Sequence, residues 1–354
     1  MKDPFSENKI LAHLDRLAQY VHGEEYPPIL VEIDLTNKCT SDCPWCFGYV
    51  NRKWSDAVLL ADDTDDVKTK YESSAKNIYK LLSELIACGV KAITWTGGGD
   101  PTCHKGLIDF LRFTAGKGIK NGLITNGVIS VEDALPYCEW IRFSVDGASE
   151  EVYGTQHGKP QHFKIVVNNI TEIAKKKVAE NHRTTLGVAF VTHAQTKAEI
   201  VDFAKMWKDV SGIDYIQYRP LLNKYGEQWF SDTVETIEFI RQAKEEDGRV
   251  TYSEPKYKAL MEGATGQTDK CHGIFFESAI AADSKVYTCC HMKGKESYAI
   301  GDLNKESFTS IWKRHLQNRE FKVNKDCPSF CRHYGTNKFI EENIMAERQH
   351  ANFI

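Results

Sequence analysis

From residue 29 to about 220, short runs rich in β-branched and aromatic residues alternate with stretches whose apolar residues recur at helical spacing. The strand candidates are ILVEIDL (29–35), KAITWT (91–96), NGLIT (121–125), WIRFSV (140–145), TLGVAFV (185–191) and DYIQYR (214–219). Between them Ile78, Leu81, Leu82, Leu85 and Ile86, closed by Gly89, then Leu107, Phe110 and Leu111, then Phe163, Val166, Val167, Ile170 and Ile173 mark helices. Thr196 and Glu199 have capping-box spacing ahead of Ile200, Phe203, Ala204 and Trp207. Repeated strand–helix units build a parallel sheet, because each helix returns the chain to start the next strand in the same direction. The class is α/β, and six strands with five crossovers make an open barrel or a doubly wound sheet.

After about 250 the pattern changes. AIAADSKVYTCC reads as a hairpin and SFTSIWKRHL as a short amphipathic helix, and five of the chain's eleven cysteines gather there. A chain of 354 residues, 42% hydrophobic, can bury one large core and a smaller one. The expected division is an N-terminal helix (1–28), the βα core (29–225), a helical linker (226–265), a cysteine-rich domain (266–335) and a tail (336–354). An acidic stretch, 55–71, interrupts the first βα unit and is expected at the surface near a site mouth.

Composition narrows the function. The formal charge is −4 and the lysines are dispersed apart from Lys175, Lys176 and Lys177, so there is no basic footprint for nucleic acid. No window approaches the roughly 18 apolar residues of a membrane span, and MKDPFSENK lacks the apolar segment of a signal peptide, so the expected location is cytoplasmic. Disulfides rarely persist in that compartment, and the clustered cysteines therefore point to metal or catalytic work. Cys88, Cys103 and Cys138 stand alone and read as buried small hydrophobes.

Cys39, Cys43 and Cys46 lie directly after the first strand, where open βα architectures place their reactive loops. Three thiolates on a [4Fe–4S] cube leave one iron open to a chelating ligand, whereas a zinc site would need a fourth ligand from elsewhere. The spacing Cys-x-x-x-Cys-x-x-Cys, with Trp45 in the last gap and Phe47 just after it, resembles the radical S-adenosylmethionine (SAM) superfamily. That resemblance implies a partial (β/α)6 TIM-like barrel. It also implies a [4Fe–4S] cluster that binds SAM, and a 5′-deoxyadenosyl radical that abstracts hydrogen from substrate.

TWTGGGDP (94–101) resembles the family's GGE-type loop, so Gly97, Gly98, Gly99 and Asp100 are expected at the cofactor, with Asp100 where the family usually has Glu. LITNG and IRFSVDG look like the family's later strand ends, which implies cofactor contacts from Asn126, Ser144 and Asp146. Phe47 is expected beside them. His157, in GTQHGKP, stands where related enzymes carry the arginine that pairs the SAM carboxylate; either His157 or a neighbour such as Lys159 replaces it, or the carboxylate is held differently.

Cys271, Cys289, Cys327 and Cys331 suit a fully ligated cluster, although zinc could use the same four thiolates. IAADSKVYTC followed by GDLNKESFTSIWKR resembles the SPASM/twitch auxiliary domain, with Ser284 where a glycine is usual, and the cysteine count implies one auxiliary [4Fe–4S] cluster. Cys290 is left over, and by resemblance to the family's epimerases it is a candidate hydrogen-atom donor. Arg219 and Lys224, at the end of the sixth strand, fit either binding of an anionic group or salt bridges within the barrel rim.

The reading is an oxidoreductase or epimerase acting on a small polar substrate such as a sugar, aminocyclitol or nucleotide-linked compound, with a flavodoxin- or ferredoxin-type electron donor. The alternative is a peptide maturase that forms a crosslink or thioether. Many of those carry a leader-gripping domain of roughly 80 residues, whereas fewer than 30 residues precede the first strand here, which favours the small substrate. A non-enzymatic zinc module is the remote third reading.

Overall fold

The computed structural model describes residues 7–46, 56–64, 66–221, 233–261, 268–319, 321–323, 327–328 and 331–346. Phe47 and Lys224 lie outside the described residues. The core alternates β1 (Leu30–Asp34), α2 (Val67–Cys88), β2 (Ala92–Thr96), α3 (Leu107–Gly116), β3 (Lys120–Thr125) and β4 (Trp140–Ser144). It continues through α4 (Glu150–His157), α5 (Phe163–Ala179), β5 (Thr185–Thr192), α6 (Ile200–Lys208) and β6 (Tyr215–Pro220). Neighbouring strands from β1 to β6 pair in parallel and in sequence order, the arrangement of a partial βα barrel. Beyond β6 come α7 (Thr233–Glu246), β7 (Val250–Thr251), which extends the parallel sheet, and α8 (Glu254–Met261).

The C-terminal part does not hang off this sheet; it continues it. β8 (Glu277–Ile280) pairs in parallel with the free edge of β1, and β9 (Lys285–Tyr287) and β10 (Ala299–Asp302) follow antiparallel, giving one ten-stranded sheet. β8 therefore covers the β1 edge, which would otherwise present unpaired backbone groups. The β8–β9 turn has Ser284 at φ +65°, a left-handed conformation that favours glycine. Its Oγ accepts from the Leu60 N–H at 2.9 Å, an interaction glycine could not make.

Alternation along the strands sorts the side chains onto two faces. Val31, Ile33, Ile93, Trp95, Leu123, Ile141 and Phe143 are fully buried against the helices. The alternate positions Glu32, Asp34, Thr94, Arg142, Ser144, Tyr215, Gln217 and Arg219 face the concave interior. Gly122 and Gly187 sit on that inner face because a Cβ there would strike the rings of Trp140 and Tyr215, at 2.1 Å and 2.0 Å. α2 begins where Asp66 accepts from the Thr69 N–H at 2.7 Å, and ends at Gly89 with φ +96°.

Several expectations change at the level of local structure. Thr196 and Glu199 do not form a capping box. Thr196 Oγ1 turns back to the Val191 carbonyl at 2.9 Å, and Glu199 instead accepts from the N–H groups of Ala148 and Ser149, beside the start of α4. The N-terminal helix is broken at His13 into a 3₁₀ turn, Glu7–Ala12, and α1 (Leu14–His22). α1 packs Tyr20 on Phe275 and Phe276 in the C-terminal part. Of the three isolated cysteines only Cys138 is fully buried; Cys88 and Cys103 are half-buried. Among the described residues no helix is long and apolar enough to cross a membrane.

Candidate active site and auxiliary centre

The loop after β1 is held from three sides. The backbone N–H of Gly99 donates to Thr36 O at 3.0 Å and that of Asp100 to Lys38 O at 2.9 Å. A Cβ on Gly99 would stand 2.1 Å from Lys38 O, so only glycine permits this approach. Gly97 is equally confined, its Cβ position lying 2.3 Å from Gly99 O. From the end of β3, Asn126 Nδ2 donates to Thr40 Oγ1 at 2.9 Å and Ser41 Oγ at 3.1 Å, and lies 3.6 Å from Cys39 Sγ. From α4, His157 O accepts from the Asp42 N–H at 2.7 Å, and Gln156 Oε1 accepts from Trp45 Nε1 at 2.7 Å. Cys39, Cys43 and Cys46 are thus presented together at the carboxyl end of β1.

Asp100 acts as a tie between strand ends. Its carboxylate accepts from the backbone and hydroxyl of Thr102, from Thr125 Oγ1 and from the Asn126 N–H. Both oxygens are taken by protein donors, so its part is to fix the glycine loop and Asn126 relative to each other. Asp146 behaves similarly: it is fully buried at φ +59°, and its Oδ1 accepts from the Val191 N–H at 2.7 Å. Ser144, at the end of β4, remains half-buried on the inner face.

His157 is neither a surface residue nor a free partner for a carboxylate. It is 1% exposed, stacks on Tyr153 at 4.4 Å between ring centroids, and places Nε2 3.2 Å from Asp146 Oδ2 and Nδ1 3.5 Å from Cys43 Sγ. Its Nδ1 is the ring nitrogen in hydrogen-bond contact, at Cys43 Sγ, while Nε2 lies near Asp146 Oδ2 without a hydrogen bond. Lys159, the other residue considered for the SAM carboxylate, lines a groove of about 720 Å³ together with Cys39, Thr40 and Ser41. The acidic stretch after β1 closes the same groove through Asp56, Val58 and Thr64.

The second cysteine group also comes together. Cys271, Cys289, Cys327 and Cys331 line one cavity with the apolar Met292, Phe321, Val323 and Pro328. Asn337, on α10 (Tyr334–Ile340), accepts from the N–H groups of His272 and Gly273 and sets its Nδ2 3.6 Å from Cys271 Sγ. Burial pushes the Cys271 thiol up to about 12, and the nearby Cys331 and Cys327 add to the effect. Four thiols around a mostly apolar chamber, with an amide donor at one sulfur, fit a fully ligated iron–sulfur cluster. Among the described residues no three Cys, His, Asp or Glu side chains converge on a single-ion position.

Between the two cysteine groups runs a buried charge network. Lys293 Nζ donates to Glu32 at 3.0 Å and Asp34 at 2.7 Å; Arg332 contacts Glu32 at 2.8 Å and Glu277 at 3.4 Å. Burial alone would raise the Glu32 carboxyl, but Lys293 and Arg332 outweigh it and hold the group near 2. Asp34, with a smaller share of the cations and Glu32 beside it, is raised by burial to about 6; the Gly98 backbone also faces it. Cys290 is not part of the cavity lining. Its Sγ lies 3.5 Å from Arg332 NH1, and burial with Glu32 nearby pushes the thiol up to about 12, which keeps it protonated.

Residues 33–206 match the sequence profile of the radical SAM superfamily and residues 271–333 that of SPASM, an iron–sulfur cluster-binding domain. The chain belongs to the radical SAM superfamily and carries a SPASM domain. Its cofactors are accordingly a [4Fe–4S] cluster with SAM, and auxiliary iron–sulfur; the zinc readings give way to this match. The chain is 28% identical over 108 residues to the PqqA peptide cyclase of Bradyrhizobium diazoefficiens, covering 30% of this chain and 24% of that protein. It thus spans about a quarter of the length of that relative. It is 20% identical over 339 residues to the AdoMet-dependent heme synthase of Methanosarcina barkeri, covering 86% of this chain and 87% of that protein. The structure of Streptococcus suis SuiB bound to S-adenosylmethionine shares the fold, with a TM-score of 0.60 at 12% identity over 86% of this chain and 70% of SuiB.

Proposed function

We propose that this radical SAM enzyme modifies a peptide, abstracting hydrogen from a residue held inside the barrel. The observation that carries this reading is the identity to PqqA peptide cyclases, which several relatives share: 28% and 30% over 108 residues in two of them. The small polar substrate expected from the sequence is supported instead by the longer but weaker match to a heme synthase, 20% identical over 339 residues. Cys39, Cys43 and Cys46 hold the SAM-binding cluster, and Cys271, Cys289, Cys327 and Cys331 the auxiliary one. With SAM bound and one electron supplied, the cluster at Cys39, Cys43 and Cys46 would supply a 5′-deoxyadenosyl radical and release methionine.

The chain's own residues do the rest. Gly97 to Gly99 bring bare backbone to the cysteine loop, while Asp100, Asn126 and His157 fix its position. The Glu32, Asp34, Lys293 and Arg332 network links the substrate chamber to the wall of the auxiliary centre. Cys290, kept as a thiol beside that chamber, is placed to return a hydrogen atom where the product is an epimer. A second reading, a small-molecule substrate, is favoured by the end-to-end match to a heme synthase.

The test is anaerobic turnover of reconstituted full chain with SAM, reductant and a synthetic peptide library, read by mass spectrometry. The expected result is 5′-deoxyadenosine together with a peptide lighter by two hydrogens, or one carrying solvent deuterium. SAM cleavage with no altered peptide across the library would turn the assignment to small molecules.

A further inference from the structure

The ion pairs inside the barrel leave two cations over. Three interior carboxylates, Glu32, Asp34 and Glu277, lie within ion-pair distance of Lys293 or Arg332, and a fourth, Asp146, sits beside His157 and acts on Arg142 only from beyond that distance. Arg142 on β4 and Arg219 on β6 face the same interior and, among the described residues, neither has a carboxylate within ion-pair distance. The Nε groups of both arginines are buried without a hydrogen-bond partner. Arg142 reaches across the side-chain-free Gly187 of β5 to Gln217 Oε1 on β6, at 3.3 Å. Gln217 lies two residues before Arg219 on the same strand, so all three side chains issue from one patch of the inner face.

Burial first and the neighbouring Arg219 second bring Arg142 down to about 9, against the opposing influence of Tyr215 and Asp146. Two guanidiniums that repel each other in a half-buried chamber are costly to keep unless an anion joins them. Their planar forks match a carboxylate.

We propose that Arg142 and Arg219, with Gln217 between them, anchor a carboxylate of the substrate inside the barrel. The proposal rests on the reading above that substrate enters this chamber, and it adds what that substrate must carry. A side-chain carboxylate and a chain-terminal one share the required chemistry, and the test separates them.

The experiment uses anaerobically reconstituted full chain with SAM, titrated calorimetrically with N-acetyl-glutamate N-methylamide, its glutamine counterpart, N-acetylalanine and inorganic phosphate. Saturable binding of the glutamate probe or of N-acetylalanine, at least about tenfold tighter than the neutral glutamine probe, supports the anchor and says which carboxylate it takes. Arg142→Gln and Arg219→Gln should each weaken that binding by about tenfold or more. Each should also raise the Tm of the free enzyme, by about 2 °C, because one of two unmatched like charges is gone. A merely structural arginine would lower it.

Equal binding of the neutral probe, tighter binding of phosphate, or a fall in Tm in both variants would overturn the proposal. Wild-type SAM cleavage is measured in parallel. Cleavage without carboxylate binding sinks the anchor alone, whereas cleavage with no altered peptide across the library sinks the parent reading.

Discussion

Lys293 is the residue on which the interior charge balance turns, since among the described residues it alone forms ion pairs with both Glu32 and Asp34. Replacing it with methionine removes the cation and leaves two buried carboxylates facing each other, so Lys293→Met should lose about 3–5 kcal/mol in denaturant unfolding. Asp34 supplies a pH signature. Its folded pKa, about 6, lies above the ordinary 3.8, so the stabilisation it contributes is complete below about pH 4 and is lost as pH rises through 6. Glu32, held near 2, does the opposite, and its contribution fails only as the pH falls towards 2. Between pH 5 and 7 the Tm of the wild type should therefore fall relative to that of Asp34→Asn; a constant difference would refute the assignment. Glu32 and Asp34 stand at alternate positions of ILVEIDL, and Arg142 and Ser144 at alternate positions of IRFSV. That alternation, in strands buried on their other face, is the sign of a polar barrel interior. The cysteines and glycines were legible because their chemistry is local; the network was not, because Lys293 and Arg332 reach Glu32 across 261 and 300 positions of chain.

At the scale of elements, the cysteine loop is positioned by what it packs against. A methyl group on Gly99 would collide with Lys38 O at 2.1 Å, a backbone atom that cannot swing aside. Gly99→Ala should therefore displace the loop bearing Cys39 while leaving the distant cavity around Cys271 intact. Iron analysis after reconstitution should fall from about eight per chain to about four, with SAM cleavage lost; retention of full iron and cleavage would show that the loop tolerates the shift. The six core strands could be read from the sequence to within about two residues, since β-rich runs and helical periodicity are local signals. Where tertiary contacts compete, local signals mislead. Glu199 has capping-box spacing but serves the neighbouring segment, and removing it as Glu199→Ala should cost about 1 kcal/mol by stranding the N–H groups of Ala148 and Ser149. α4 was hidden because GTQHGKP reads as a turn, although Ser149 caps that helix at the Val152 N–H.

For the molecule as a whole, the joint between barrel and cysteine-rich part decides how the two centres depend on each other. Among the contacts that make it are β8 paired to the β1 edge, the ion pairs of Lys293 and Arg332, the Leu60 N–H on Ser284 Oγ, and the Phe308 and Thr309 N–H groups on Glu84. None of these uses a cysteine. The cavity around Cys271, in contrast, is assembled from the turn before β8, the segment after β9 and residues 327–337, which the chain brings together with few ladder hydrogen bonds. Asn337 already ties the turn before β8 to residues 331–337, and a cluster on the four thiolates would add a crosslink that takes in the segment after β9, coupling metal binding to local folding. Cys327→Ala should lose about four irons per chain and raise amide hydrogen exchange across residues 268–275 and 331–340. Protection in β8 and β1 should be retained, because their ladder and the Lys293 pairs persist. If exchange rose equally in β1, the auxiliary cluster would be holding the barrel edge itself, and the joint described here would be too weak to stand without metal.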